Sequence, residues 1–171
     1  MRRILTRAFF DRPTLLVAEE LVGKFLARAR DGVMCTHRLT EVEAYDGPQD
    51  KASHAHRGRT PRNAVMFGPA GVLYVYVCYG MHHMLNVTTG PEDYPAAVLI
   101  RGVEGISGPG RLTKALDITR ALDRLPASKT TGLWFEDRGG TPPRIQRTAR
   151  IGVAYSGPVW SRRRYRFVLS V

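Results

Sequence analysis

The segment that most limits the fold is Leu73-Tyr74-Val75-Tyr76-Val77-Cys78-Tyr79. β-Branched and aromatic residues follow one another there without a break, which suits a buried strand and suits a helix poorly. The apolar stretch around it covers residues 64–81 and is long enough to raise the question of a membrane span. Gly68-Pro69-Ala70-Gly71 interrupts it, so it reads as a turn followed by a strand. Gly80-Met81-His82 then reads as a turn and residues 84–89 as a returning strand. The result is a hairpin with Tyr79 and Met81 at its tip.

The flanking chain supplies mixed elements. Asp11-Arg12-Pro13-Thr14 looks like a helix start, and Leu15, Ala18, Leu21, Val22 and Phe25 recur at helical spacing, predicting a helix that stops by Gly32. Residues 33–45 and 96–104 read as strands, Thr60-Pro61 as the cap of a short helix reaching Met66, and Ser107-Gly108-Pro109-Gly110 as the opening of a helix carrying Leu112, Ala115 and Leu116. Residues 153–155 and 165–171 look like strands separated by a turn at Gly157-Pro158. Strands and helices do not alternate as βαβ units would, and no repeat or linker divides the chain. The expected fold is α+β: a single domain over residues 1–171, with a curved, largely antiparallel sheet, a protruding β-hairpin and surrounding helices.

Charge narrows the partners. Lys and Arg number 26 against 15 Asp and Glu, a formal charge of +11. Such a balance points to a polyanion, nucleic acid before an anionic membrane surface, and no strongly amphipathic basic helix supports the latter. The two cysteines, Cys35 and Cys78, are far apart and form no CxxC, which argues against a disulfide framework or zinc ribbon and fits a reducing cytosol. Arg7, Asp11 and Arg12 interrupt the basic start before an apolar region can form, so no signal peptide is expected and the location is read as cytoplasmic. His54, His56, His82 and His83 match no metal-binding spacing, and no phosphate-binding loop, dinucleotide fingerprint or nucleophile elbow occurs. Neither metal nor cofactor is expected.

Chemistry is suggested by Glu41-Val42-Glu43-Ala44-Tyr45, where strand alternation puts Glu41, Glu43 and Tyr45 on one face. A carboxylate among aromatic rings can have a raised pKa and act as a base. Taken alone, the pattern favours a solvated polar face with a surface ion pair. An aromatic at a hairpin tip suits a wedge that enters a minor groove and replaces an extruded base, although an ordinary core hairpin would show the same residues. Arg57, Arg59 and Arg62 crowd one loop, and Arg144, Arg147, Arg150, Arg162, Arg163, Arg164 and Arg166 populate the C-terminal third. Gathered on one face they would grip phosphates; scattered, they would only aid solubility. The helix start at Ser107, Gly108 and Gly110, with Arg111, offers free backbone N–H groups to a phosphate.

Read in order, these segments resemble the alkyladenine (3-methyladenine, or methylpurine) DNA glycosylase family. The matching stretches are Glu43-Ala44-Tyr45 with Gly47-Pro48 and Asp50, Ala52-Ser53-His54, Thr60-Pro61-Arg62-Asn63 with Met66-Phe67, Leu73-Tyr74-Val75-Tyr76, Tyr79-Gly80-Met81, Asn86, Val98-Leu99 with Arg101, and Ser107-Gly108-Pro109-Gly110 with Leu112. The resemblance implies that Glu43 activates the attacking water and that Arg101 helps hold it. It implies that Tyr45, His54 and Tyr76 stack on the flipped base and that Asn86 at the pocket floor disfavours guanine. Tyr79 corresponds to the wedge, with Met81, Arg59, Arg62, Ser107, Gly108, Gly110 and Arg111 on the DNA side. The implied substrate is double-stranded DNA bearing 3-methyladenine, 7-methylguanine, hypoxanthine or ethenoadenine, cleaved by a monomer that hydrolyses the glycosidic bond without a lyase step.

The chain also departs from the pattern: Gly102-Val103-Glu104-Gly105-Ile106 joins the Arg101 strand directly to the Ser-Gly-Pro-Gly helix, and His82 and His83 stand where relatives often place an aromatic. The alternative reading is a non-catalytic nucleic-acid-binding module on the same scaffold. It leaves the joint occurrence of Glu43, Arg101 and Asn86 without a reason. A helix-hairpin-helix glycosylase would be mainly helical, against the strand-rich middle of this chain.

Overall fold

A computed structural model describes residues 2–170. Fourteen elements follow one another: β1 (Arg3–Ile4), α1 (Arg7–Phe10), α2 (Thr14–Leu21), β2 (Phe25–Arg30), β3 (Val33–Asp46), β4 (Leu73–Cys78), β5 (His82–Thr88), β6 (Ala96–Val103), β7 (Ile106–Ser107), α3 (Pro109–Ala115), β8 (Leu133–Asp137), β9 (Ile145–Thr148), α4 (Gly157–Trp160) and β10 (Arg166–Leu169). Short 3₁₀ turns occupy His54–Arg57, Ala64–Phe67, Arg120–Leu122 and Ala154–Ser156. The strands form one open sheet in the order β1-β8-β2-β3-β6-β5-β4, with β10 on the free edge of β3 and β9 beyond it. Every pairing is antiparallel. The fold is therefore a single α+β domain. No helix among the described residues is long and apolar enough to cross a membrane.

The side-chain period of two divides this sheet into two functions. Leu73 and Val75 of β4, Leu85 and Val87 of β5, Val98 and Ile100 of β6, and Val42 and Ala44 of β3 belong to one buried apolar cluster. Helices α2 and α3 close that cluster through Val17, Ala18, Leu21 and Leu112. The alternate residues form a row across four strands: Glu43 pairs with Leu99, Leu99 with Asn86, and Asn86 with Tyr74. Strands that face the core on one side thus carry the chemically distinctive residues on the other.

Three sequence expectations change. The first helix ends at Leu21, not near Gly32: Val22 is extended and Gly23 is left-handed (φ +87°). Residues 25–30 become β2 because β3 and β8 both pair with them. Backbone pairing from both sides outweighs the helical spacing of Val22 and Phe25. Asp31-Gly32 instead forms a two-residue hairpin loop, both residues left-handed (φ +49° and +78°), as the tight turn between twisted strands requires. Residues 153–155 are not a strand. Ala154–Ser156 is a 3₁₀ turn between the left-handed Gly152 and Gly157, and Ser156 donates to the Val153 carbonyl at 2.6 Å. Gly157-Pro158 then opens the short helix α4 in place of a turn, with Pro158 in its first turn.

The hairpin itself matches its reading: β4 and β5 pair from Leu73↔Val87 to Cys78↔His82. The short connection after Arg101 is a tight turn, with Val103 paired to Ile106 across Glu104-Gly105. Because Ile100 is fully buried on the core face, Ile100→Ala should lower unfolding free energy by about 2–5 kcal/mol in urea denaturation. A loss well under 1 kcal/mol would contradict this assignment of faces.

Candidate active site

Glu43 has no solvent exposure, yet it carries a carboxylate on the face opposite the main core. Its oxygens are held from several directions. The Ile151 backbone N–H donates to Oε1 at 2.7 Å, and the Tyr45 hydroxyl, two residues along β3, donates to Oε2 at 2.9 Å. Arg101 brings its Nε to 3.5 Å from Oε1. Burial pushes the Glu43 pKa up, and the Arg101 charge, the Ile151 N–H and the Tyr45 hydroxyl counter it only in part. Burial and the neighbouring carboxylate raise the Tyr45 phenol well above its ordinary value, so it stays a proton donor.

Arg101 reaches this position through an irregularity in the ladder. Val42 pairs with Ile100 and Glu41 with Gly102, so Arg101 is the extra residue of a bulge on β6. Bulges re-aim a side chain without ending the pairing. The Arg101 Nε donates to Glu41 Oε1 at 2.9 Å, and the same oxygen accepts from Arg166 Nε on β10 at 2.7 Å. The chain Arg166–Glu41–Arg101–Glu43 alternates in charge. The terminal nitrogens of Arg101 make no hydrogen bond among the described residues.

Beside this cluster lies a cavity of about 340 Å³, mouth included, lined by Tyr45, His54, Tyr74, Tyr76, Asn86 and Tyr155 among others. His54 and Tyr76 form one wall, with ring centroids 4.6 Å apart, and Tyr74 lies 5.1 Å from Tyr76. Tyr45 contributes from β3, three strands away, where its partner across the ladder is the small Ala97, which also lines the cavity. His54 Nδ1 and the Tyr74 hydroxyl share a hydrogen bond of 3.1 Å. Burial in the walls and then the Arg62 charge hold the His54 pKa below its usual value, although part of the residue is open at the mouth. Burial raises Tyr74 to about 12 and also raises Tyr76. Asn86 donates Nδ2 to the Tyr74 carbonyl at 3.1 Å.

The C-terminal segment closes the site. Arg150 is buried against Asp50, with Nη1–Oδ2 at 2.5 Å and Nη2–Oδ1 at 2.8 Å, and its guanidinium carbon lies 4.8 Å from the Tyr45 ring centre. Burial works against its charge, but the Asp50 hydrogen bonds and charge keep its pKa above the ordinary value. Removing one partner of such a pair costs about 3–5 kcal/mol. The Tyr155 hydroxyl donates to the Ala52 carbonyl at 2.7 Å, tying this segment to the His54 loop.

The hairpin tip projects freely: Tyr79 is 89% and Met81 71% exposed. Tyr79 and Gly80 are both left-handed (φ +52° and +69°), a conformation that costs a tyrosine about 1–2 kcal/mol. Helix α3 docks on β5, where the Thr113 hydroxyl donates to the His83 carbonyl at 2.8 Å, and a Cβ on Gly110 would come within 3.0 Å of the His82 ring. Ser107, Gly108, Gly110 and the exposed Arg111 therefore lie beside the hairpin near its tip end. Arg59 and Arg62 are exposed, their guanidinium groups over Phe67 and Tyr76.

The sequence pattern described as methylpurine-DNA glycosylase (MPG) matches residues 8–107 and 104–171. The chain belongs to this family. A protein of Anaeromyxobacter dehalogenans (strain 2CP-C) is 45% identical over 96% of this chain and 83% of its own length. One from Streptomyces avermitilis is 43% identical over 92% of this chain and 85% of its own, and one from Methanocella arvoryzae 44% identical over 90% and 86%. Each carries the name 3-methyladenine DNA glycosylase as a provisional assignment. The chain is thus a DNA-repair enzyme of the N-glycosyl hydrolase class.

In this glycosylase Tyr45, His54, Tyr76 and Asn86 line one cavity, Glu43 joins it through the Tyr45 hydroxyl, and Arg101 lies beside Glu43. Neither Glu43 nor Arg101 lines the cavity itself; Tyr45 stands between. Sequence reasoning missed the Ile151 N–H, Tyr155 and the Arg150–Asp50 pair. The sequence groups Arg150 with arginines suited to phosphates, but its side chain is wholly buried. Arg147 and Arg166 are likewise engaged, by Glu19 and Glu41. Asp50 belongs to the motif after Tyr45, and its carboxylate is the sequence signal for a buried cation partner. Among the described residues no group of three or more His, Cys, Asp and Glu side chains is placed to hold a metal ion.

The raised Glu43 pKa has a thermodynamic consequence. Folding favours the protonated acid, so the stability from this residue is complete below the unfolded-state pKa and is lost as pH rises through the folded-state value. Glu43→Gln should therefore melt above the parent protein at neutral pH, and the gap should close as pH falls toward about 4. Thermal melts across pH test this; a variant that melts below the parent at neutral pH would contradict it.

Proposed function

We propose that this glycosylase turns alkylated and deaminated purines out of double-stranded DNA and hydrolyses their bond to the sugar with a water activated by Glu43. The observation that carries the reading is the buried, pKa-raised Glu43 beside Arg101, hydrogen-bonded to Tyr45 of the aromatic pocket. A base cannot be attacked within the stack, so extrusion comes first, and poorly paired lesions unstack most readily. The flipped base stacks on Tyr45, His54 and Tyr76. An electron-poor or cationic alkylpurine gains cation–π attraction there. Asn86, with its amide anchored on the strand, sets the floor and disfavours the exocyclic amine of guanine.

In this reading water attacks the sugar C1′ through an oxocarbenium-like state, as in glycosidases. Glu43 stabilises the developing positive charge and takes the water's proton, while a free terminal nitrogen of Arg101 orients that water. The glycosidic electron pair leaves with the base. A base that is already cationic departs neutral without a general acid, so one carboxylate suffices for it; a neutral lesion such as hypoxanthine departs as the anion, or as the neutral base after taking a proton from solvent on a ring nitrogen. Among the described residues no lysine lines the cavity, which supports hydrolysis to an abasic site without a lyase step. Tyr79 fills the gap in the duplex, with Met81 beside it, and Arg59, Arg62, Arg111 and the Ser107–Gly110 backbone lie toward the phosphates. The protein acts as a monomer. The substrate set is 3-methyladenine, the base in the relatives' name, with 7-methylguanine, hypoxanthine and ethenoadenine.

Purified protein should release free base from alkylated or hypoxanthine-containing duplex DNA in the presence of EDTA. Glu43→Gln should bind that duplex with near-parent affinity yet release base at least about 100-fold more slowly. A parent protein that binds but releases nothing would favour the non-catalytic binding module, and near-normal turnover by the variant would remove Glu43 from the mechanism. Tyr79→Ala should weaken extrusion, read as a smaller rise in fluorescence from a base analogue beside the lesion. An unchanged signal would refute the wedge.

A further inference from the structure

We infer that the buried Arg150–Asp50 pair is the positioning device for the Glu43 carboxylate, carrying the Ile151 N–H onto one oxygen and setting the Tyr45 ring whose hydroxyl holds the other. The inference rests on the reading of Glu43 as the base.

Both side chains are fully enclosed. Besides its two bonds to Asp50, Arg150 donates Nη1 to the Ala44 carbonyl at 2.9 Å, between Glu43 and Tyr45 on β3. Its guanidinium carbon lies 4.8 Å from the Tyr45 ring centre and 5.1 Å from that of Tyr165. The next residue is Ile151, whose N–H meets Glu43 Oε1 at 2.7 Å. Asp50 is equally committed: its Oδ2 accepts from the Asp46 N–H at 3.1 Å and its Oδ1 from the Ala52 N–H at 3.0 Å, shaping the loop that leads to His54. One ion pair therefore fixes three elements around one carboxylate.

Stability alone is a poor explanation for this pair. Well-packed apolar residues of similar volume often stabilise a core as well as a buried ion pair does, and Arg150 Nε is buried without a hydrogen-bond partner among the described residues. What apolar packing cannot supply is direction. A bidentate guanidinium fixes orientation as well as distance, and an error of an ångström at a reacting group lowers rate steeply. The pair also shapes the field at Glu43, which is faced by Glu41 and Tyr45 on β3, Arg101 on β6, Arg166 on β10 through Glu41, and Arg150 and Tyr155 on the C-terminal segment.

The test is single-turnover release of 7-methylguanine from duplex DNA as a function of pH. This lesion brings its own positive charge, so the acidic limb of the profile reports the base alone. Arg150→Gln removes a cation near Glu43 and should move the acidic limb to higher pH. Asp50→Asn leaves that cation unneutralised and should move it to lower pH, and the double variant should bring it back toward the parent position. Arg150→Lys keeps a charge for Asp50 but loses the bidentate geometry. It guards against a folding failure and should bind lesion DNA like the parent while releasing base about 10- to 100-fold more slowly.

Limbs that coincide with the parent's in the two single variants, or full-rate Arg150→Lys, would overturn the inference. Failure of the underlying reading looks different: Glu43→Gln would then retain turnover. If Glu43→Gln is inactive and the limbs still do not move, only the positioning role is lost.

Discussion

A carboxylate withdrawn wholly from water must be met by donors on the protein, and around Glu43 those donors come from separate parts of the chain. Its own strand provides the Tyr45 hydroxyl, a bulge on β6 provides Arg101, and the segment after β9 provides the Ile151 N–H. Desolvation still prevails over these contacts, so the group is held oriented and left basic. The second carboxylate of the same strand face, Glu41, takes the opposite part. It accepts from two arginines, and so holds Arg101 by Nε while leaving its terminal nitrogens open.

The sheet makes this arrangement possible by simple alternation. On β3, β6, β5 and β4 the residues between Val42, Val98, Leu85 and Val75 face away from the main core and meet in register. Core packing on one side holds the strands at fixed spacing, and rigid strands place the other side's groups more tightly than loops could. The loop carrying His54 and the segment carrying Tyr155 are then tied to each other over the pocket, through the Tyr155–Ala52 hydrogen bond. Left-handed Tyr79 at the exposed tip shows the converse: local strain tolerated where a side chain must project.

Much of this was legible beforehand where the signal was local. Unbroken β-branched and aromatic residues marked β4, turn residues marked the hairpin, and alternation put Glu41, Glu43 and Tyr45 on one face. Asp31-Gly32 was an equally local signal for the β2–β3 turn, but the helical spacing of Val22 and Phe25 masked it. Strand β8, Leu133–Asp137, was missed although Leu-Trp-Phe follows a Thr-Thr-Gly turn, because a strand buried on both faces shows no alternation. Residues 153–155 looked extended by composition, but the glycines that flank them set a turn.

The sequence by itself determined the class of the fold, the hairpin, the face that carries Glu43, and the order of motifs by which the family is recognised, because each of these depends on neighbours along the chain. Tertiary structure alone decided that Glu43 is buried and not solvated on a polar strand face. Burial is a property of everything that packs against a residue, and here that includes Arg101, Arg150 and Ile151, which lie 58, 107 and 108 positions further along. The same holds for Arg150, one basic residue among many in the sequence, which its meeting with Asp50 across 100 positions places in the interior beside the carboxylate.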